Sequence, residues 1–392
     1  MRLHEFQSKA LLAGYGITVP EGHVALTAQD ARRAADEIGG GPFAVKAQIQ
    51  AGGRGRANAV RLVATAAEAA QAAEDLLGQR VTTEQTGPAG YAVRRVLVET
   101  ALRPLRSLYL SLFIDARAAQ ITLLAGADGG VEIEDKVREG SARLERLSLA
   151  ASSSLQDEVA ELGGKLGLEQ RQLSSFVALV EQLRKAFTEL DAVLIELNPL
   201  AITEVDAFVA LDAKMTVDDN ALFRHPELAA LRDDHESDEI ELVAQNRQLN
   251  FVRMDGDIGL VANGAGLGLA TLDMVRAANG RPANFMDIRT TATSLDVAHG
   301  FALLLDNPAV RAILVNVHGG GMQPCDTIAD GLGVAMRRTG RSCPTVVRLA
   351  GNNAEYARFR FANFGCDVID CPDMWSAVTR AVAIAEERGG RS

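Results

Sequence analysis

The chain has 392 residues and a mass of 41.7 kDa, more than one hydrophobic core usually organises, so two domains are expected. Hydrophobic residues at 47%, charged residues at 23% and 36 glycines are ordinary globular composition and exclude a disordered or fibrous chain. A net charge of −11 and a pI near 5.2 exclude a typical nucleic-acid binder, because that affinity rests largely on Lys and Arg.

In the first half, Val19 to Leu26, Pro42 to Ile49, Val60 to Val63 and Ala92 to Glu99 read as strands. Ala28 to Ile38 and Thr65 to Leu77 read as amphipathic helices. Leu108 to Ile114 and Ala119 to Ala125 suggest an antiparallel pair, and Leu173 to Asp191 a long helix feeding a strand at Val193 to Leu197. This is mixed α+β with a meandering sheet. The charged segment Asp233-Asp234-His235-Glu236-Ser237-Asp238-Glu239 reads as a connector, so the domains are expected at 1–235 and 236–392.

Beyond it the pattern is repetitive. Apolar strands are expected at Asp257 to Ala262, Asn284 to Ile288, Val310 to Val317, Pro344 to Leu349 and Cys366 to Ile369, each followed by a helical stretch. Short apolar runs alternating with helices indicate a parallel sheet covered on both faces. The expected fold class is therefore α/β, with a flavodoxin-like second domain whose ligands sit at the carboxyl ends of the strands.

The N-terminus lacks the apolar core of a signal peptide. The most apolar stretch, Ile258 to Val275, is interrupted by Asn263, Asp273 and glycines, so no membrane span is expected. Four cysteines, Cys325, Cys343, Cys366 and Cys371, form no CxxC pair and have no histidine cluster beside them, which argues against zinc. Reduced thiols and a cytoplasmic location are expected. There are 34 arginines but only six lysines, which draws the eye to Lys46 and Lys214.

Gly52-Gly53-Arg54-Gly55-Arg56 follows the strand that carries Lys46. It is not a Walker A loop, since no Gly-Lys-Ser/Thr follows; it reads either as an anion cradle, with Lys46 and Arg54 supplying charge, or as a hairpin turn without a ligand. Asp191 to Leu200 and Ala207 to Lys214 are two strand-like runs joined by a polar link. Strand alternation puts Glu196 and Asn198 on one face, and Asp212 and Lys214 likewise. A turn centred on Val205 sets Asn198 opposite Asp212 and Glu196 opposite Lys214, with ragged pairing expected at Pro199. Few hard oxygen ligands of this kind suit Mg²⁺ shared with nucleotide phosphates; the plainer reading is a solvent-facing hairpin with a cross-strand ion pair. In the second domain Asn263-Gly264-Ala265-Gly266 and Gly319-Gly320-Gly321 run into helix starts, which are anion sites or packing turns. A Rossmann dinucleotide site is not expected, because the glycine spacing is wrong. His318 ends a strand beside a glycine turn and is read as a polar loop residue or an acid–base group.

These motifs, in this order, resemble the β subunit of the ADP-forming succinate–CoA ligases and the similar malate–CoA ligases. The likeness runs from Leu3-His4-Glu5-Phe6-Gln7-Ser8-Lys9 through Val45-Lys46-Ala47-Gln48, Glu196-Leu197-Asn198-Pro199-Leu200 and Leu211-Asp212-Ala213-Lys214 to Arg348-Leu349-Ala350-Gly351-Asn352-Asn353. The resemblance implies an ATP-grasp first domain and a place in the tricarboxylic acid cycle. It also implies an α subunit that binds CoA and carries a transiently phosphorylated histidine, in an αβ or α2β2 assembly. Carried over by position, Lys46, Gly53, Arg54, Gly55, Glu99 and Leu102 would bind ATP, and Asn198 and Asp212 would hold Mg²⁺. Glu196 would act catalytically, meeting the partner's phosphohistidine. Asn263, Gly320, Gly321 and Met322 would bind the carboxylic acid and phosphate.

The chain also departs from that family pattern. Asp287-Ile288-Arg289-Thr290-Thr291-Ala292 stands where three glycines are usual, His318 replaces a common Phe, and Pro324 lies near a usual Arg. Ser107 replaces a Glu, and Asn58-Ala59 a glycine pair. The leading expectation is an acid–CoA ligase subunit for a dicarboxylic acid such as succinate or malate, with Arg289 free to pair with a further carboxylate. A regulatory subunit that no longer relays phosphate is the alternative, and an ATP-grasp carboxylate–amine ligase a third.

Overall fold

Two helices of the first half, Ala28–Ile38 and Ala66–Leu76, bury alanines rather than bulky residues: Ala31, Ala34 and Ala35 on one, Ala69, Ala72 and Ala73 on the other. Small side chains let both lie close on an antiparallel sheet, whose strands run in the order Gly22–Ala25, Val96–Thr100, Phe43–Ala47, Val60–Val63. The structure is a computed structural model that describes residues 1–130, 133–141, 143–149, 155–235, 238–247, 249–320 and 323–389. It divides into two compact units, Met1–Glu236 and Ser237–Ser392.

The first unit has a second, larger antiparallel sheet. Its strands run Phe208–Ala210, Ala192–Ile202, Arg106–Asp115, Gln120–Gly126, Leu144–Ser148, and Ala213–Val217 also pairs with Ala192–Ile202. The helix Gln170–Glu189 packs its Phe176, Leu179, Val180, Leu183, Ala186 and Phe187 into the same core as Leu108, Leu110, Leu112, Ile195 and Leu197. That i, i+3, i+4 stripe is what makes twenty residues one helix, and each of its Phe, Leu and Val side chains contributes about 1.5–3 kcal/mol on burial.

The expected hairpin register is present: Glu196 pairs with Lys214, Leu200 with Ala210, and the Asn198 N–H donates to the Asp212 carbonyl at 3.3 Å. The second run is not one strand but two, interrupted at Leu211-Asp212. Against the strand Arg106–Asp115 the register shifts between Leu197 and Leu200, where Pro199 has no N–H to give. Two further readings are corrected. The run from Ala92 to Glu99 is split, with Tyr91–Ala92 pairing to Arg80–Val81 and the sheet strand beginning at Val96. A helix at Glu5–Gly14, which apolar spacing did not announce, precedes the first strand.

In the second unit the sheet order is Leu249–Arg253, Asn284–Ile288, Ile258–Ala262, Ala312–Gly319, Thr345–Gly351, Val368–Asp370. The last five strands are parallel and wound in flavodoxin-like order, and Leu249–Arg253 adds an antiparallel edge that the sequence pattern did not reveal. Alternate residues of one strand serve opposite cores: Ile313, Val315 and Val317 face one, Ala312 and Leu314 the other. Helices Ser294–Asp306, Cys325–Thr339 and Ala354–Phe364 cover the first face, and Ala265–Ala277 and Met374–Gly389 the second. Among the described residues no helix is long and apolar enough to cross a membrane.

Candidate active site

Lys46 lies on a strand whose five residues are all buried, so its ammonium must find partners inside the protein. It meets Glu99 at 2.7 Å, Glu5 at 3.0 Å and the Leu211 carbonyl at 2.6 Å. Lys9, one turn along the first helix from Glu5, reaches Glu5 at 2.9 Å, Glu99 at 2.6 Å and the same carbonyl at 2.7 Å. Arg54 closes the group. Its Nη1 donates to Ala47 O at 2.9 Å and meets Glu5 at 2.7 Å, while Nη2 donates to both oxygens of Asp212 at 2.8 Å.

Three cations and three carboxylates thus balance one another where the four-stranded and the larger sheet of this unit meet. Burial opposes the charge on Lys46 and Arg54, but the surrounding carboxylates raise both above their ordinary values. Burial likewise opposes ionisation of Glu5, yet Arg54, Lys46 and Lys9 hold it well below the usual carboxylate range. For Glu99 burial dominates and pushes the carboxyl up, against the pull of Lys46 and Lys9. Truncating one member of such a group typically costs about 3–5 kcal/mol, because the others stay buried.

The glycine-rich turn is built to deliver Arg54 inward. Gly53 adopts φ +79°, which a side chain would resist, and Ala59 N–H donates back to the Arg54 carbonyl at 2.9 Å. Gly55 continues the exposed side of the turn. Asn58, in place of a glycine, takes φ +54°; asparagine tolerates that region better than most residues, while Ala59 beside it is fully buried. Gln85 Oε1 accepts from Gly52 N–H at 2.9 Å and from Lys214 Nζ at 3.3 Å, tying the turn to the larger sheet.

Glu196 and Asn198 are half-buried on one face of their strand, while Ile195 and Leu197 on the reverse are fully buried. Asn198 Oδ1 accepts from Gly130 N–H at 2.6 Å, and the Tyr109 hydroxyl donates to Glu196 Oε2 at 3.4 Å. Leu102 follows on the exposed segment past Val96–Thr100. The structure therefore gathers Lys46, Arg54, Glu99 and Asp212 into one network. Glu5 and Lys9 complete it, and sequence reasoning assigned neither a role. Both stand in the opening motif, but nothing in their spacing told of burial.

The second unit places Asn263 and Gly320 at the carboxyl ends of Ile258–Ala262 and Ala312–Gly319, neighbouring parallel strands. The chain passes to the opposite side of Ile258–Ala262 after the Asn284–Ile288 strand, so this is the crevice where such folds bind ligands. The Asn263 amide holds the two strand ends together, donating to His318 O at 2.8 Å and accepting from His318 N–H at 2.9 Å. Gly319 and Gly351 pair closely here, and a Cβ on Gly351 would lie 2.2 Å from the Gly319 carbonyl oxygen. Gly320 N–H donates to Gln323 O at 3.2 Å; Gly321 and Met322 lie outside the described residues.

The loop Arg289-Thr290-Thr291-Ala292 closes as a turn, Ala292 N–H donating to Arg289 O at 3.0 Å. None of its residues takes a positive φ, so the two threonines sit there without strain. The exposed Arg289 donates through Nε and Nη2 to Asn250 Oδ1, at 3.0 and 2.8 Å. Asn250 in turn donates to Asp287, whose other oxygen accepts Gly264 N–H at 2.6 Å.

Comparison with known proteins gives the class. Residues 2–202 match the model of the ATP-grasp domain and residues 261–374 that of CoA-ligase, so the chain is an ATP-grasp protein carrying a CoA-ligase domain. It is 41% identical to the succinate–CoA ligase [ADP-forming] subunit beta of Acidiphilium cryptum, over 99% of this chain and 100% of that protein. It is 42% identical to the protein of that description from Methylobacillus flagellatus, over 98% and 99% of the two chains. The chain belongs to the family of ADP-forming succinate–CoA ligase β subunits. Among solved structures, ATP citrate lyase from Methanothrix soehngenii, in complex with citrate and coenzyme A, superposes with a TM-score of 0.73. That match covers 98% of this chain and 99% of the other at 16% identity, a likeness of fold.

Proposed function

We propose that this chain is the nucleotide-binding β subunit of a cytoplasmic, ADP-forming ligase that joins succinate or a similar dicarboxylic acid to CoA. It works with an α subunit, in an αβ or α2β2 assembly, that binds CoA and carries the phosphorylated histidine. The observation that carries this reading is the Lys46–Arg54–Glu99–Asp212 network in a chain about 41% identical, end to end, to succinate–CoA ligase β subunits. In it Lys46 and Arg54 bind the phosphates of ATP, the Gly53 to Gly55 turn brings backbone close to them, and Glu99 and Leu102 complete the nucleotide site. A regulatory subunit is not favoured: the replaced glycine loop is unstrained, and the relatives are named as ligase subunits.

The donor set at Asn198 and Asp212, one amide and one carboxylate oxygen, fits a hard cation such as Mg²⁺ that completes its shell from phosphates. There it would neutralise charge on the transferring phosphoryl group. Glu196 meets the partner's histidine as its nitrogen takes the γ-phosphoryl group and ADP leaves. In the second unit Asn263 and the Gly320 to Met322 turn serve the later steps, in which the phosphoryl group passes to the carboxylate and the CoA thiolate then displaces phosphate. Arg289, which follows the strand Asn284–Ile288, would pair with the acid's second carboxylate.

The test uses this chain co-expressed with its α subunit, γ-labelled ATP and Mg²⁺. Acid-labile label is expected on the partner, discharged by CoA plus one acid from a panel. R289G should raise the KM for that acid more than it lowers kcat. ATP binding without any label on the partner would overturn the ligase reading.

A further inference from the structure

The Arg54–Asp212 pair sets two of the proposed assignments in competition as the structure stands. Arg54 cannot offer Nη2 to phosphates while it is committed to both Asp212 oxygens, and Asp212 is a poor cation ligand while it faces a guanidinium at 2.8 Å. We propose that the two are exchange partners: Arg54 holds Asp212 in the nucleotide-free protein, and leaves it for the nucleotide phosphates when Asp212 takes up a divalent cation. The inference rests on the nucleotide and metal reading above, and adds to it an order and a coupling.

The environments of the two side chains differ in the way this exchange requires. Arg54 is buried, its side chain 7% exposed, and keeps Glu5 and the Ala47 carbonyl as partners after Asp212 is lost. Asp212 is 36% exposed, open on one side to an incoming cation. Its backbone is held independently: its carbonyl accepts Asn198 N–H, and the Leu211 carbonyl before it accepts both lysines. It stands in the gap between the strands Phe208–Ala210 and Ala213–Val217.

Charge supplies the driving force. With three cations matched to three carboxylates, the network by itself has no surplus positive charge to offer a polyphosphate. A cation on Asp212 repels the guanidinium beside it, and the freed Arg54 becomes the missing positive charge. By linkage, whatever factor the metal adds to nucleotide affinity, the nucleotide adds to metal affinity. A fixed ion pair that merely positions Asp212 would behave in the opposite way, since its loss would weaken the metal site.

That opposition of sign is the test. Mn²⁺ binding to the nucleotide-free chain, followed by electron paramagnetic resonance, should tighten about tenfold in R54Q, where the competitor is gone. Unchanged or weaker Mn²⁺ binding overturns the exchange. Since R54Q leaves Glu5 with the lysines alone and is the variant more at risk of not folding, D212N gives a second arm. With EDTA present, calorimetry should show ATP binding about tenfold tighter to D212N than to the wild type. In the R54Q/D212N double variant that gain should vanish. No gain in D212N, or a gain that persists without Arg54, rejects the proposal. If the wild type binds no Mg·ATP at all, the nucleotide site itself is wrong and the exchange falls with it. Normal wild-type binding with no gain in D212N rejects the exchange alone.

Discussion

His4 is held by Asp233 at 3.0 Å through Nε2, while its Nδ1 is buried without a partner and Arg95 meets the same carboxylate at 2.6 Å. Burial outweighs the attraction of Asp233 and lowers the imidazole's pKa. The folded protein therefore takes up this proton less readily than the unfolded chain. The stability contributed by neutral His4 is complete above the unfolded value of about 6.5 and is lost as pH falls below it. Asp233, also lowered, adds a loss of the same sign further down, below the ordinary carboxylate range. The urea midpoint is expected to drop between pH 7.5 and 5.5, and the drop to be shallower in H4Q; equal slopes would show that His4 does not titrate in this window. The opening motif that contains His4 does not announce this. Its environment comes from Asp233, 229 residues away.

The helix Ala66–Leu76 was legible from its amphipathic spacing, and its start carries a second signal. Thr65 Oγ1 accepts Glu68 N–H at 3.2 Å, and the Glu68 carboxylate accepts Thr65 N–H at 3.2 Å, a reciprocal cap written in Thr-x-x-Glu. T65A should cost about 1 kcal/mol in urea unfolding of the first unit, the usual loss for a threonine cap. A change under a few tenths would mean the helix is held by its alanine face alone. The helix Glu5–Gly14 was not legible for the opposite reason. It buries Glu5, Gln7, Ser8 and Lys9, so the apolar stripe by which a helix is recognised is partly replaced by charges that find partners elsewhere. The strand run ending at Lys214 was half legible. Its register followed from the turn, but the break at Asp212 did not, because the side chain of that residue is taken by Arg54, 158 positions away.

At the scale of the molecule, the described residues of each unit form their own pair of buried cores. Nucleotide bound in the first should stabilise it by about 2.7 kcal/mol at a hundred times Kd. Hydrogen exchange in Phe43–Ala47, Val96–Thr100 and Ala192–Ile202 should slow with Mg·ATP, while Ile258–Ala262 and Ala312–Gly319 keep their rates. Equal slowing in both sets would mean the two cores open together. The sequence by itself determined the alternation of strands and helices, the pairing of Glu196 with Lys214, and the glycine turns at strand ends. These are local: periodicity, caps and turn chemistry act over a few residues. Only the tertiary structure decided which charges meet. Lys46 with Glu5, Lys9 with Glu99 and Arg54 with Asp212 join residues 41, 90 and 158 positions apart. A buried ion takes whichever partner the packed sheets bring within reach, and that choice belongs to the fold.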